Sequence, residues 1–257
     1  GELNVPAGHK WKYIGAGGNV FSCGLTTEDA YLCWGYYGYL MGGGALNPLP
    51  AESPWSTLEV GDSRQCATSP TGTGYCWGLD NFNVNSLPAR QNWAYLSPGG
   101  SGTCGITTAG GLQCWGYAIA DIPTGKTWSS VSAGYNTACG VTTDAEGICW
   151  GDNNSGQATV PSGHTWKSIK AGFGFSCGVT TSGEGLCWGS DYHSQLDVPY
   201  GKVWDSITPG ISGSASASMT SHRACGVTVS GEVLCWGWED FWAESGVSGA
   251  NAVPAGY

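Results

Sequence analysis

The sequence predicts an all-β fold, a six-bladed β-propeller with four-stranded blades and one disulfide inside each blade. The first observation behind this prediction is a phrase that occurs six times in 257 residues: two cysteines ten positions apart, the second followed by Trp-Gly. The second observation is another tryptophan upstream of each cysteine pair, with a proline five residues before it. An internal period of about 38 residues is typical of solenoids and propellers.

The repeats extend over almost the whole chain. All-β domains of this length often form one unit, so we expect residues 1–257 to be a single propeller domain. The six repeats begin near Trp11, Trp55, Trp93, Trp128, Trp166 and Trp204.

Each repeat is interpreted as four short strands. In TWKSIKAG, residues 165–172, an extended backbone would place Trp166 and Ile169 on opposite faces, so that both faces are apolar. The segments CGVTT and GLCWG flank a Gly-rich turn, as expected of a hairpin. A fourth strand is predicted in segments such as QATVP, residues 157–161, because an edge strand tolerates proline. A sheet with two apolar faces suits a blade packed between two neighbours.

The cysteine spacing predicts six disulfides, one within each repeat. In an antiparallel hairpin centred on Ser182, Cys177 and Cys187 would lie opposite each other, close enough for a disulfide, and Trp188 would point into a neighbouring blade. Reduced core cysteines would not require a constant spacing, and this spacing is not one that zinc sites use. The predicted pairs are Cys23–Cys33, Cys66–Cys76, Cys104–Cys114, Cys139–Cys149, Cys177–Cys187 and Cys225–Cys235.

Composition narrows the classes of function. The net charge is −10 and only nine residues are Lys or Arg, so we expect no nucleic-acid partner, which would require a basic patch. No run of about 18 apolar residues occurs, so we expect no membrane span. We also expect no metal site and no cofactor. The disulfides, and a chain that opens on Gly1 without a signal peptide, favour a mature secreted, extracellular protein.

Two segments carry a resemblance to a known family. GVTTSGEGLCWGSDYHSQLDVP, residues 178–199, and CWGDNNSGQATVP, residues 149–161, resemble the repeat of the regulator of chromosome condensation family. The similarity is greatest to its secreted branch, which includes the beta-lactamase inhibitor protein II type, and to plant crinkly-type receptor ectodomains. The resemblance implies a β-propeller, usually of seven blades, whereas six repeats are counted here. It implies no single function, because relatives on this fold bind different partners.

Closure of the ring is open to two interpretations. LNVPAGH at residues 3–9 and NAVPAGY at residues 251–257 both look like an outer strand. We expect the N-terminal copy to complete the last blade and so to cover a sheet edge.

Function is expected where the repeats depart from regularity, because regular positions serve the scaffold. Three insertions occupy residues 36–47, 211–220 and 238–249. In an up-and-down blade, connections between strands one and two and those after strand three emerge on the same side, which we call the upper face. All three insertions therefore belong to the upper face, next to the seam between repeats six and one. The candidate ligand-binding residues are Tyr36, Tyr37, Tyr39, His222, Arg223, Trp238, Glu239, Asp240 and Trp242.

Three functions are compatible with these residues. The first is carbohydrate binding by a lectin-like propeller, because aromatic rings stack on sugars and carboxylates accept hydrogen bonds from hydroxyl groups. The second is binding or inhibition of an extracellular protein through an acidic, aromatic surface. The third is a lyase or hydrolase acting on polysaccharide, with Glu239, Asp240 and Glu244, or His222 with Arg223, as the reactive groups. No motif assigns a catalytic residue, and the insertions could instead only cover the core at the seam.

Overall fold

The computed structural model describes residues 5–17, 21–35, 54–78, 85–117, 119, 121–211 and 222–237. These residues form eighteen strands. In chain order, the strands are β1 Trp11–Ala16, β2 Phe21–Thr26, β3 Tyr31–Gly35, β4 Thr57–Val60, β5 Arg64–Thr68, β6 Gly74–Gly78, β7 Trp93–Pro98, β8 Gly102–Thr107, β9 Leu112–Gly116, β10 Trp128–Ala133, β11 Thr137–Thr142, β12 Gly147–Gly151, β13 Trp166–Ala171, β14 Phe175–Thr180, β15 Gly185–Gly189, β16 Trp204–Pro209, β17 Arg223–Thr228 and β18 Val233–Gly237.

The strands form six antiparallel sheets of three consecutive strands each, which are blades 1 to 6 in chain order. The first strands of all six blades, β1, β4, β7, β10, β13 and β16, contribute residues to one shared central cavity. The predicted propeller is therefore confirmed, with one repeat in each blade.

The predicted fourth strand is replaced by an irregular segment wherever the structure describes it. Asn153 Oδ1 accepts a hydrogen bond from the Ala158 backbone N–H at 2.8 Å, and Asp191 Oδ1 accepts one from the Leu196 N–H at 3.1 Å. These side chains bind backbone donors that a strand would offer to its neighbour. Val160 of such a segment nevertheless packs against the apolar core, as a fourth strand would.

Hairpin register confirms the predicted disulfides. In blade 5, Cys177 lies opposite Cys187 across β14 and β15, with their Cα atoms 4.1 Å apart. The other five cysteine pairs have the same pairing and the same separation of ten residues.

The prediction that Trp166 and Ile169 face opposite sides of their strand is wrong. The pairing of β13 with β14 shifts register between Trp166 and Ser168, so one extra residue is accommodated there. A bulge of this kind reverses the alternation of side chains. Trp166 and Ile169 therefore lie together, and both pack on blade 4 in one cluster with Val141.

In five of the six blades, a glycine in the second strand makes room for the first tryptophan of the blade, and blade 2 has Ala67 at this position. A Cβ atom at Gly178 would come within 2.6 Å of the Trp166 ring, and Gly226 has the same relation to Trp204. With the ring seated there, Trp166 also contacts Trp188 of the third strand, with ring centroids 5.4 Å apart. The glycine after the first cysteine is thus explained by close packing.

The core consists of layers between successive blades. Between blades 5 and 6, Phe175, Cys177 and Val179 pack against Trp204 and Ile207. Comparable clusters join blades 1 and 2, 2 and 3, 3 and 4, and 4 and 5. Burial of apolar side chains between sheets is the main stabilising contribution in such an arrangement.

The seam between blades 6 and 1 differs from the other layers. Ile14 is 55% exposed, whereas Ile169 and Ile207, at the same repeat position, are 1% and 2% exposed. On the other side of the seam, Cys225 and Val227 are only half-buried, although their counterparts in blade 5 are fully buried. Within the described residues, the facing surfaces of blades 6 and 1 are therefore not packed as the others are. The terminal segments predicted to close the ring lie largely outside the described residues.

Candidate functional site

A groove of about 390 Å³ lies across blades 4, 5 and 6. Its walls come from connections between first and second strands and from connections after third strands, which belong to the upper face as defined from the sequence. The lining residues are Tyr135, Asn136, Thr137, Asp152, Ser155, Gln157, Phe173, Gly174, Ser190, Tyr192 and His222.

Aromatic rings form a row along this groove. The Tyr135 and Phe173 ring centroids are 5.2 Å apart, and those of Phe173 and His222 are 6.2 Å apart, both in edge-to-face arrangements. His222 also contacts His193, with centroids 4.5 Å apart. Tyr192 is 85% exposed beside this row. Three successive blades thus contribute rings to one surface.

Regular turns hold the aromatic residues in place. Gly134, Gly172 and Gly210 stand at one repeat position, and the Tyr135 N–H donates to the Gly172 carbonyl at 3.3 Å. The Phe173 N–H likewise donates to the Gly210 carbonyl at 2.8 Å. Each connection is therefore bonded to the next blade, which fixes the order of the rings.

A polar network forms the floor of the groove around Asp152. Its Oδ2 accepts a hydrogen bond from Gln157 Nε2 at 3.0 Å, and its backbone carbonyl accepts one from the Thr137 hydroxyl at 2.8 Å. Gln157 is 3% exposed, and its backbone carbonyl accepts a hydrogen bond from the indole N–H of Trp188 at 3.0 Å. The carboxylate is therefore positioned by buried partners.

Several polar groups around this floor are open to a ligand. The side-chain amide nitrogen of Asn136 and the hydroxyl groups of Tyr135, Ser155 and Ser190 make no hydrogen bond to any residue in the described part of the chain. Such groups can donate to and accept from ligand hydroxyl groups.

The environment of His193 favours its neutral form. Partial burial lowers the pKa of His193 below its ordinary value, and the neighbouring His222 lowers it further. An imidazole in this state favours its neutral form, which can both donate and accept a hydrogen bond.

Most of the candidate residues from the sequence lie outside the described residues, namely Tyr36, Tyr37, Tyr39, Trp238, Glu239, Asp240 and Trp242. The structure describes His222 and Arg223, and these adjacent residues line different cavities. His222 lines the upper-face groove, whereas Arg223 lines the central cavity. His222 and Arg223, which the sequence suggested as reactive groups on a polysaccharide, therefore do not line the same cavity.

Sequence reasoning missed Tyr135 and Phe173, because their loops, YNTA and FGFS, differ in sequence. A usable signal was nevertheless present. Each ring stands four residues before the first cysteine of its repeat, Cys139 or Cys177, so two neighbouring blades place an aromatic residue at the same point. The constant distance between the ring and the first cysteine of the repeat, rather than similarity between the loops, indicates where the row lies.

No metal or membrane element is found in the part of the chain that the structure describes. Histidine, cysteine and acidic side chains there do not gather in groups of three or more that could hold a metal ion. Nor does any helix in these residues have the length and apolar character to cross a bilayer.

Comparison with known proteins supports the fold. A family model described as the regulator of chromosome condensation (RCC1) repeat matches residues 128–157, which form blade 4 and the connection after it. No curated protein matches the chain in sequence.

Solved structures share the architecture at low identity. The ectodomain of the receptor kinase CR4 from Physcomitrella patens is 24% identical with a TM-score of 0.72, over 91% of this chain and 63% of that one. The CRINKLY WD40 ectodomain of the Arabidopsis thaliana receptor kinase ACR4 is 22% identical with a TM-score of 0.70, over 90% of this chain and 81% of that one. Prp20p from Saccharomyces cerevisiae is 17% identical with a TM-score of 0.69, over 87% and 71%.

The chain thus spans less than two thirds of the length of the moss ectodomain, and these similarities concern the fold. The family model thus identifies a regulator of chromosome condensation repeat at residues 128–157, and the shared architecture shows that the chain has the β-propeller fold.

Proposed function

We propose that this chain is an extracellular, lectin-like propeller that binds a carbohydrate in the upper-face groove across blades 4, 5 and 6. The observation that carries the proposal is the row of Tyr135, Phe173 and His222 beside the Asp152 network. Aromatic faces cover the apolar side of a sugar ring, while carboxylate, amide and hydroxyl groups bind its hydroxyls.

The size and openness of the groove suit a short sugar rather than a buried cofactor. Ligand pockets commonly measure roughly 300–1,000 Å³, and this groove of about 390 Å³ lies near the lower end. The six disulfides support placement in an oxidising extracellular environment, where such bonds persist.

Tyr192 offers a direct test because it is 85% exposed, so its removal should leave the fold intact. We expect Tyr192→Ala to weaken binding to immobilised oligosaccharides by about two- to ten-fold, the loss of one stacking contact. Binding is measured on a glycan array and then by titration with the oligosaccharide that gives the strongest signal.

Tyr200→Ala is the matched control. Tyr200 is fully exposed, at 101%, close to the start of β16, and a first strand starts at the end of the blade opposite the loop that joins it to the second strand. Equal losses in both variants, or no glycan signal from the unaltered protein, would contradict the proposal.

Binding of an extracellular protein is the second candidate function, and a different observation favours it. Ile14 is 55% exposed and Val227 is half-buried at the seam, on a chain with net charge −10. Exposed apolar side chains with surrounding charge are typical of protein interfaces. Capture of one protein from extracellular fluid by the unaltered chain, lost in Ile14→Asp and retained in Tyr192→Ala, would favour this function over carbohydrate binding.

A further inference from the structure

The central cavity is a second candidate binding site, separate from the upper-face groove. It measures about 610 Å³, and every blade contributes to its wall. Apolar contacts come from residues such as Ile14, Val60, Pro98, Ala133 and Pro209. A cavity of this size, mainly apolar with a few charged groups, has the usual composition of a small-molecule site.

Three charged side chains line this cavity. Among its described lining residues, Lys170 and Arg223 are cationic and Glu59 is the one carboxylate. Glu59 faces the Tyr95 phenol, where burial raises the Tyr95 pKa well above its ordinary value and the charge and hydrogen bond of Glu59 raise it further. The Glu59 carboxylate is therefore hydrogen-bonded to the Tyr95 phenol.

Lys170 has no comparable charged partner. Its ammonium group lies 3.5 Å from the Tyr95 hydroxyl oxygen and 5.9 Å from the centre of the Tyr95 ring. Among the described residues, no carboxylate lies within ion-pair distance of it, in contrast to Lys167 on the same strand, which bonds Asp205 at 2.6 Å. A half-buried ammonium without a carboxylate gains most from an anionic ligand.

We propose that the central cavity binds a small amphiphilic carboxylate, whose acid group pairs with Lys170 and whose apolar body rests on the strand residues around it. The Lys170 ammonium group favours a monovalent anion in this cavity. Neutral and cationic molecules of the same shape would forgo the contact with Lys170.

Calorimetric titration with phenylpropionate tests the proposal, with phenylpropanol and phenylpropylamine as its neutral and cationic analogues. We expect phenylpropionate to bind most tightly. Lys170→Met should weaken its binding by about ten- to a hundred-fold, as for the loss of a charge-assisted hydrogen bond, and should leave phenylpropanol almost unchanged. Lys167→Met is the matched control, because it removes the same charge outside the cavity and should have no effect.

A second variant keeps the test independent of Lys170. Thr208 lines the cavity from an exposed position, so Thr208→Trp should fill the space without disturbing the core, and should abolish binding of both the acid and the alcohol. Near-ultraviolet circular dichroism verifies that each variant is folded. Absence of phenylpropionate binding, preference for the amine, or unchanged affinity in Lys170→Met or Thr208→Trp would overturn the proposal. None of these results depends on whether the upper-face groove binds sugar.

Discussion

At the scale of single residues, the most informative contact is the histidine pair on the upper face. His193 and His222 come from different blades, and their rings are 4.5 Å apart. His193 also donates its backbone N–H to Gln195 Oε1 at 2.8 Å, so its segment is tied to a fully buried glutamine. The pair therefore has a fixed geometry, and a charge on His222 disfavours protonation of His193.

This geometry predicts the protonation behaviour of His193. Its pKa is lowered by burial and by His222, so the unfolded chain takes up the proton first as the pH falls through about 6.5, the ordinary value for histidine. The free energy of unfolding should therefore decrease as the pH falls from that value to the lower pKa of His193 in the folded protein, and the loss should remain at lower pH. NMR titration of the imidazole signals should show a His193 midpoint below about 6.5.

His222→Asn separates the two causes of the shift. It removes the neighbouring charge but not the burial, so the His193 midpoint should rise only part of the way to its ordinary value. A midpoint at or above that value in the unaltered protein would contradict the geometry described here.

At the scale of elements, the disulfide hairpins are alike in sequence but not in environment. The first cysteine of blades 1 to 5 is fully buried: Cys23, Cys66, Cys104, Cys139 and Cys177 are each 0% exposed. Cys225 of blade 6 is only half-buried, because its face of the blade looks onto the seam. Five of the disulfides are therefore covered by a neighbouring blade, and the sixth, Cys225–Cys235, is partly exposed at the seam.

Paired alanine variants should reveal this difference. Each loop is of the same length, so removal of either bond should cost a similar chain-entropy contribution of about 2–3 kcal/mol. Loss of buried sulfur from Cys177→Ala with Cys187→Ala should cost about 1 kcal/mol more than Cys225→Ala with Cys235→Ala. Chemical denaturation measures both free energies of unfolding, and a larger loss in the blade 6 variant would contradict this account.

The hairpins also show how far the sequence could predict the structure. Cysteine spacing and Gly-rich turns specify a local register, so the disulfide of Cys177 with Cys187 followed from two-residue alternation alone. The bulge after Trp166 could not be predicted from the sequence, because it depends on how the Trp166 ring packs over Gly178 and against blade 4. The candidate site was harder still, because Tyr135 and Phe173 acquire their role only when successive blades are bonded side by side.

At the scale of the whole molecule, the contact between blades 6 and 1 buries less apolar surface than the other contacts between blades. A propeller gains stability when each blade covers one face of the next, and five such layers are present in the described residues. At the seam, Ile14 and Val227 occupy positions that are buried elsewhere in the ring and are themselves partly exposed. Among the described residues, the seam is therefore the layer that contributes least packing energy, and its apolar side chains are more accessible than their counterparts in the other layers.

Alanine variants of Ile14 and Ile169, which occupy the same repeat position, measure this difference in packing as a change in the free energy of unfolding. Ile169→Ala should cost about 2–5 kcal/mol, because it leaves a cavity in the layer between blades 4 and 5. Ile14→Ala makes the same chemical change at 55% exposure, and we expect it to cost less than about 1 kcal/mol. Denaturant unfolding followed by tryptophan fluorescence gives both values. An equal cost at the two positions would mean that Ile14 is covered in solution, and the seam would then be a closed layer instead of a surface for a partner.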